Sequence, residues 1–124
     1  MYSDIVREEP ARKPAKFIGR ALDEIRDFPP AARQDAGHQI DLVQLGETPR
    51  GAKPMPRVGR GAWEICIAED DGWFRVFYVA DIGGKVCILH GFQKKSNQTP
   101  KSAIEIGIRR YRQAVEELSS KGVR

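Results

Sequence analysis

The hydrophobic positions follow helical periods at both ends of the chain. In residues 15–27 the apolar positions recur at helical spacing and are Phe17, Ile18, Ala21, Leu22 and Ile25. That spacing puts apolar side chains on one helical face, so it predicts an amphipathic helix that stops at the "FPP" of residues 28–30. The period resumes from Pro30 to about Leu45, and Gly46 suits the end of a helix. The two segments together predict a helical hairpin.

The middle of the chain alternates in the manner of strands. The runs "WEICIA" and "WFRVFYVA" flank the turn sequence "EDDG", which predicts an antiparallel hairpin. The next turn, "DIGG", leads to a third apolar run, "KVCILHGF". Three strands with short connections predict an antiparallel meander. Residues 1–14 add either a short edge strand in "SDIVREE" or a flexible segment.

A third helix is predicted at the C-terminal end. Thr99 suits the N-cap and Pro100 the first helical position. An apolar stripe then reaches to about Ser120 through Ile104, Ile108, Tyr111, Val115 and Leu118. The expected fold is therefore α+β, with two N-terminal helices packed on a small antiparallel sheet of three to four strands and a C-terminal helix packed back on it. At 124 residues the chain suits a single domain over residues 1–124.

Composition narrows the class of protein. An apolar fraction of 40% and a charged fraction of 31% are typical of soluble globular proteins. No stretch approaches the roughly 18 apolar residues of a membrane span, and the first residues lack the apolar core of a signal peptide. We therefore expect a cytoplasmic protein without membrane contact. Cys66 and Cys87 lie in apolar runs and lack zinc-like spacing to the two histidines, so we expect buried free thiols, no metal and no cofactor.

Positive charge is concentrated in the second part of the chain. Residues 1–48 contain 7 Lys+Arg and 9 Asp+Glu, a net charge of −2, whereas residues 49–124 contain 14 and 8, a net charge of +6. The surface favours a polyanionic partner such as RNA, DNA or an acidic protein, unless it is simply a solvated basic face. The Pro- and Gly-rich residues 46–61 either wrap the sheet edge or contact such a polyanion. Their cations are Arg50, Lys53, Arg57 and Arg60.

Arg75 is unexpected on the second strand. Alternation places it on the same face as Trp73 and Phe77, in a central strand where a charge requires a partner. That partner is either a protein carboxylate, of Asp81 or Glu64, or a bound anion.

The adjacent lysines Lys94 and Lys95 lie between the third strand and the third helix. They form either an exposed basic turn or, with the helix N-terminus and Arg75, a phosphate site. A lysine close to another cation gives up its proton more readily, so such a site could exchange protons without histidine. His90, at the end of the third strand, is either a core residue or a general acid or base.

Three stretches, "KPMPRVGRGAWEICIAEDDGWFRVFYVA", "ILHGFQKKSNQTP" and "AIEIGIRRYRQ", resemble the phage-derived HigB-like branch of the RelE/ParE toxin superfamily, and the resemblance extends over residues 15–118. It implies a curved sheet and a toxin of a type II toxin–antitoxin pair. Toxins similar to RelE and HigB are mRNA interferases that inhibit translation: they cut messenger RNA on the ribosome by attack of the 2′-hydroxyl on the adjacent phosphate, without a metal.

The resemblance also implies roles for residues. Arg75 matches a strand arginine that stabilises the transition state, and Lys94 and Lys95 match the basic position after the last strand. With His90 these residues form the expected catalytic set. The expected RNA-binding set consists of Lys53, Arg57, Arg60, Thr99 and Lys101. Glu64 departs from the pattern, because some RelE-like toxins have a lysine there, and Tyr111 is expected in the core.

Partners follow from the same resemblance. We expect the ribosome, mRNA and a cognate antitoxin encoded nearby, whose acidic segment covers the basic face around Lys53, Arg57, Lys94 and Lys95. Two other functions stay open at this point. One is a ParE-like poison of DNA gyrase, and the other is a non-toxic prophage protein that acts only through its binding partner.

Overall fold

The computed structural model describes residues 11–119. In chain order the elements are β1 (Ala15–Phe17), α1 (Ala21–Arg26), α2 (Pro30–Gln44), β2 (Lys53–Pro54), β3 (Ala62–Glu69), β4 (Gly72–Ile82), β5 (Lys85–Lys94) and α3 (Lys101–Leu118). The strands form one five-stranded sheet in the order β1-β5-β4-β3-β2. β1 runs parallel to β5, and the other neighbours are antiparallel. The α+β class is confirmed, but the sheet is larger than predicted and is mixed.

The predicted meander forms the centre of this sheet. Asp70 and Asp71 turn the chain between β3 and β4, and Gly83 and Gly84 turn it between β4 and β5. The two glycines have φ values of 61° and 85°, a left-handed conformation that glycine adopts without steric cost. Irregular register after Phe77 and after Val79 interrupts the β4–β5 ladder, and such bulges bend strands.

The prediction for residues 15–27 was wrong at its start. Lys16 and Phe17 lie in β1, paired with Cys87 and Ile88 of β5, and only Ala21–Arg26 is helical. The edge of β5 supplies hydrogen-bond partners for the backbone of residues 15–17, and this pairing favours a strand over the helix that the apolar spacing predicted. Gly19, at φ 58°, separates the strand from the helix. The possible strand in "SDIVREE" lies outside the described residues.

Helices cover both faces of the sheet. On one face α1 and α2 enclose a core that includes Phe74, Val76 and Tyr78. On the other face α3 encloses a second core around Phe77 and Val79. The predicted stripe of α3 is confirmed, since Ile104 is buried there and Ile108, Tyr111, Val115 and Leu118 pack against it. β4 is therefore covered on both sides, as its alternation indicated.

The helix ends agree only in part with the sequence. α2 ends as predicted, because Gly46, at φ 91°, follows it and the amides of Gly46 and Glu47 donate to the carbonyls of Val43 and Leu42. At α3, however, Pro100 is the N-cap, so the prediction for Thr99 was wrong.

The loop after α2 reaches the sheet edge, where β2 pairs with β3. Within residues 11–119, no helix combines the length and the apolar character that a membrane crossing requires.

Candidate anion-binding site on the α3 face of the sheet

Arg75 is the fourth residue of β4, and its side chain is largely buried. Its side chain is 11% exposed, and Nη1 donates to the Phe74 carbonyl at 3.1 Å. Nε lies 3.8 Å from Glu64 Oε2, an ion pair too long for a hydrogen bond, and it has no hydrogen-bond partner among the described residues. A buried guanidinium donor without a hydrogen bond is costly. This Nε has no contact with solvent, so an anion would reach the Arg75 guanidinium from the open cavity that the residue lines.

Glu64 is the carboxylate that shares this environment. Its side chain is 4% exposed, and the Thr99 hydroxyl donates to Oε2 at 3.3 Å. Lys53 of β2 is the residue directly opposite Glu64 in the sheet. Of the two carboxylates that the sequence offered to Arg75, Glu64 is the neighbour, whereas Asp81 pairs with Lys13 at 3.1 Å.

Cys66 lies at the centre of these charges. It is opposite Arg75 in the sheet and only half-buried, whereas Cys87 is buried as predicted. Burial raises the pKa of the Cys66 thiol, and the positive charges of Arg75, Lys53 and Lys94 oppose that rise. The thiol thus experiences three cations and the carboxylate of Glu64. We call the group formed by Lys53, Glu64, Cys66, Arg75, Lys94 and Thr99 the Arg75 site.

An open cavity adjoins the Arg75 site near the β3–β4 turn. It measures about 190 Å³, and its lining consists of Cys66, Ile67, Ala68, Trp73 and Arg75. Trp73 is opposite Lys94 in the sheet and is 47% exposed. Cations beside an accessible aromatic ring form a combination that binds nucleic acids in other proteins.

The remaining cations of the two expected sets lie around this region. Lys95 belongs to the expected catalytic set, and Arg57, Arg60 and Lys101 belong to the expected RNA-binding set. Lys95, Arg57, Arg60 and Lys101 are exposed and have no ion pair among residues 11–119. The loop carrying Arg57 and Arg60 is fixed against α3, because the Tyr111 hydroxyl donates to the Arg60 carbonyl at 2.9 Å. These cations extend the positive surface without contacting Arg75.

His90 belongs to a different cluster, at the edge of β5. Its Nδ1 lies 2.8 Å from Glu24 Oε1, and Arg110 donates to both carboxylate oxygens at 2.8 and 2.9 Å. Burial alone would raise the pKa of Glu24, but the bonds to His90, Arg110 and the Gly91 amide outweigh it and lower the pKa from 4.5 to about 2. The buried-residue interpretation of His90 fits this arrangement, and His90 is not part of the Arg75 site.

Sequence reasoning found the cations more readily than their neighbours. It placed Trp73 on the face of Arg75 but gave it no function, and it offered Glu64 as one of two carboxylate partners for Arg75 without deciding between them. Alternation along β3 carries the signal that would have placed Glu64 and Cys66 on that same face. Glu24 and Arg110 had no usable signal, because they lie 86 residues apart.

These features define an α+β protein with a cationic site on one face of its sheet. The chain belongs to the phage-derived Gp49-like family, since the family model "Phage derived protein Gp49-like (DUF891)" matches residues 23–112. That family is commonly linked to RelE-like toxins of toxin–antitoxin systems, which supports the resemblance to toxins in general. A search of curated proteins found no match. The matched range contains all of the Arg75 site.

Proposed function

We propose that this protein is the toxin of a type II toxin–antitoxin system and cuts messenger RNA on the ribosome. The observation that carries the proposal is the largely buried Arg75 guanidinium, which lines an open cavity, lacks a hydrogen bond at Nε and lies among further cations. Membership of the Gp49-like family supports the toxin part. The nuclease part is supported by the charge and position of the Arg75 site.

The site has the charge that a phosphodiester requires. Lys53, Arg75 and Lys94 contribute three positive charges around Cys66, and Glu64 contributes one negative charge. The remaining charge of +2 complements a scissile phosphate whose negative charge increases in the transition state. Because Arg75 is already fixed by the Phe74 carbonyl and Glu64, it loses little freedom when RNA binds.

In the proposed reaction the RNA 2′-hydroxyl attacks the adjacent phosphorus and the bond to the 5′-oxygen breaks. Arg75 stabilises the charge that develops on the phosphoryl oxygens, and it stays protonated throughout. Lys94 and Lys95 are the groups proposed to exchange the protons of the attacking and leaving oxygens. A reaction with these roles for Arg75, Lys94 and Lys95 requires neither a histidine nor a metal ion.

The partners follow from this function. The ribosome presents the mRNA, and a cognate antitoxin neutralises the site with an acidic segment. That segment would cover the positive surface around Lys53, Arg57, Lys94 and Lys95, so its affinity should fall as salt is added.

The test is primer extension on a reporter mRNA in a purified translation system. Wild type should cut mRNA at A-site codons only when ribosomes are present, whereas Arg75→Ala and Lys94→Ala/Lys95→Ala should give no cuts. Arg112→Ala is the matched control, because Arg112 is exposed in the second half of α3 and its loss removes one charge without touching the Arg75 site. Cutting by folded Arg75→Ala at the wild-type rate would contradict the proposal. Absence of cutting by folded wild type would do the same and direct attention to DNA supercoiling.

A further inference from the structure

Trp73 is the one large hydrophobic residue that is exposed in the part of the chain that the structure describes. Single exposed apolar residues are common on proteins and need no function by themselves. The surroundings of Trp73 set it apart. It lines the cavity next to Arg75, and Lys94 lies opposite it in the sheet.

The distance between the side chains of Trp73 and Arg75 matches the distance between the base and the phosphate of one nucleotide. Trp73 and Arg75 are two residues apart on β4, so their side chains project from the same face of the sheet about 7 Å from each other. A phosphate and the base of the same nucleotide are separated by a comparable distance. A base beside the indole could therefore belong to a nucleotide whose phosphate is bound by Arg75.

The cavity also has the size and chemistry of a site for one base. Its 190 Å³ is smaller than the roughly 300–1,000 Å³ of typical small-molecule sites, which favours one flat ring system. Ala68, which is opposite Trp73 in the sheet, contributes an apolar wall, whereas Arg75 and Lys94 supply positive charge for the attached phosphate. This lining provides a ring for stacking but few groups that could form hydrogen bonds with the edges of a base. Binding should therefore tolerate different bases.

We propose that this cavity is a nucleobase subsite, in which a base of single-stranded RNA stacks on the indole of Trp73 while Arg75 binds the neighbouring phosphate. The choice of RNA rests on the proposed function. The stacking itself depends only on the geometry of Trp73, Arg75 and the cavity.

The chain offers a direct test, because its two tryptophans lie on opposite faces of the sheet. Trp63 is half-buried against the core of α1 and α2. Trp63→Phe therefore leaves Trp73 as the only tryptophan emitter, and Trp73→Phe leaves Trp63. Each protein is titrated with a short RNA whose 2′-O-methyl groups prevent cleavage, and with an abasic oligomer of the same length. We expect the RNA to quench Trp73 and to leave Trp63 nearly unchanged.

Affinities separate stacking from phosphate binding. Trp73→Leu should bind the RNA about tenfold more weakly than wild type, whereas Trp73→Phe, which keeps a flat ring, should retain most of the affinity. The abasic oligomer should bind all three proteins alike, and Arg75→Ala should weaken both oligomers. Unchanged RNA affinity in Trp73→Leu, or absence of Trp73 quenching by the RNA, would overturn the subsite.

The subsite and the nuclease can fail separately. Base-dependent quenching of Trp73 by a protein that cuts no mRNA would keep the subsite and reject the nuclease. Conversely, if Trp73→Leu cut mRNA at the wild-type rate and positions, the nuclease would stand and the subsite would be rejected.

Discussion

Glu64 limits how strongly the Arg75 site attracts an anion, because its carboxylate lies 3.8 Å from the Arg75 Nε. Glu64→Gln should therefore tighten binding of the 2′-O-methyl RNA by about threefold to tenfold at low salt, since it removes a like charge near the phosphate. The amide oxygen of glutamine can still accept the hydrogen bond of Thr99. Fluorescence anisotropy with end-labelled RNA measures the change.

Glu105→Gln is the matched control, because Glu105 is exposed on α3 and its substitution changes the net charge equally. Equal tightening in both variants would mean that net charge alone is responsible. Weaker binding by Glu64→Gln would show instead that the carboxylate is needed to orient Arg75.

For single residues, the sequence predicted which positions carry a candidate functional charge but not which side chains pair with each other. Arg75 stood out because a cation in an otherwise apolar central strand requires a partner. The same reasoning left two carboxylates as candidates, since side-chain pairing depends on register across strands. The pairing of Thr99 with Glu64 was out of reach for a related reason, because a residue that suits an N-cap can also donate to a neighbouring strand.

Among the elements, α2 and α3 each contain an interior glycine, and the two glycines differ in what surrounds them. A Cβ on Gly107 would lie 2.9 Å from the ring of Phe77, which is fully buried, whereas a Cβ on Gly37 would have no atom within 4 Å. Gly37→Ala should raise the free energy of unfolding by about 0.5–1 kcal/mol through helix propensity. Gly107→Ala should lower it by about 1–2 kcal/mol, because overpacking exceeds that gain.

Urea denaturation of the two variants beside wild type measures both changes. Each protein serves as the control for the other, since the substitution is the same and only the environment differs. A stabilised Gly107→Ala would show that α3 can move away from the sheet at little cost.

Among the helices and strands, hydrophobic periodicity predicted α2, α3 and the three long strands, and it failed at β1. Residues 15–27 satisfy a helical period, yet Ala15–Phe17 joins the edge of β5. A period of apolar positions describes only the chain itself, whereas a three-residue strand is stabilised by a partner far away in sequence. The two residues of β2 were missed for the same reason.

The polar cluster formed by Glu24 with His90, the Gly91 amide and Arg110 connects the helical layers on the two faces of the sheet. Glu24 belongs to α1, Arg110 to α3, and His90 and the Gly91 amide to β5 between them. The apolar cores fix each layer to the sheet separately. The polar cluster at the edge of β5 is the contact that joins α1 directly to α3, and its strength depends on the charge of Glu24.

We therefore predict that Glu24→Gln lowers the free energy of unfolding at pH 7 by about 2–3 kcal/mol. The loss is below that of a fully buried ion pair because the Glu24 side chain is 21% exposed. The folded-state pKa of about 2 lies below the ordinary value of 4.5. Between these values the unfolded chain binds more protons than the folded one, so acid favours unfolding. The contribution is complete above about pH 4.5 and disappears as the pH falls toward 2.

Urea denaturation at pH 7, 4.5 and 3 tests this prediction. The stability difference between wild type and Glu24→Gln should be largest at pH 7 and should shrink as the pH falls below 4.5, because the unfolded wild-type chain then binds a proton at Glu24 and the glutamine variant does not. Glu105→Gln, on the exposed face of α3, should differ little from wild type at any of the three values. If the difference in the free energy of unfolding between wild type and Glu24→Gln stayed constant with pH, the packing of the Glu24 side chain, and not its charge, would stabilise the contact between α1 and α3.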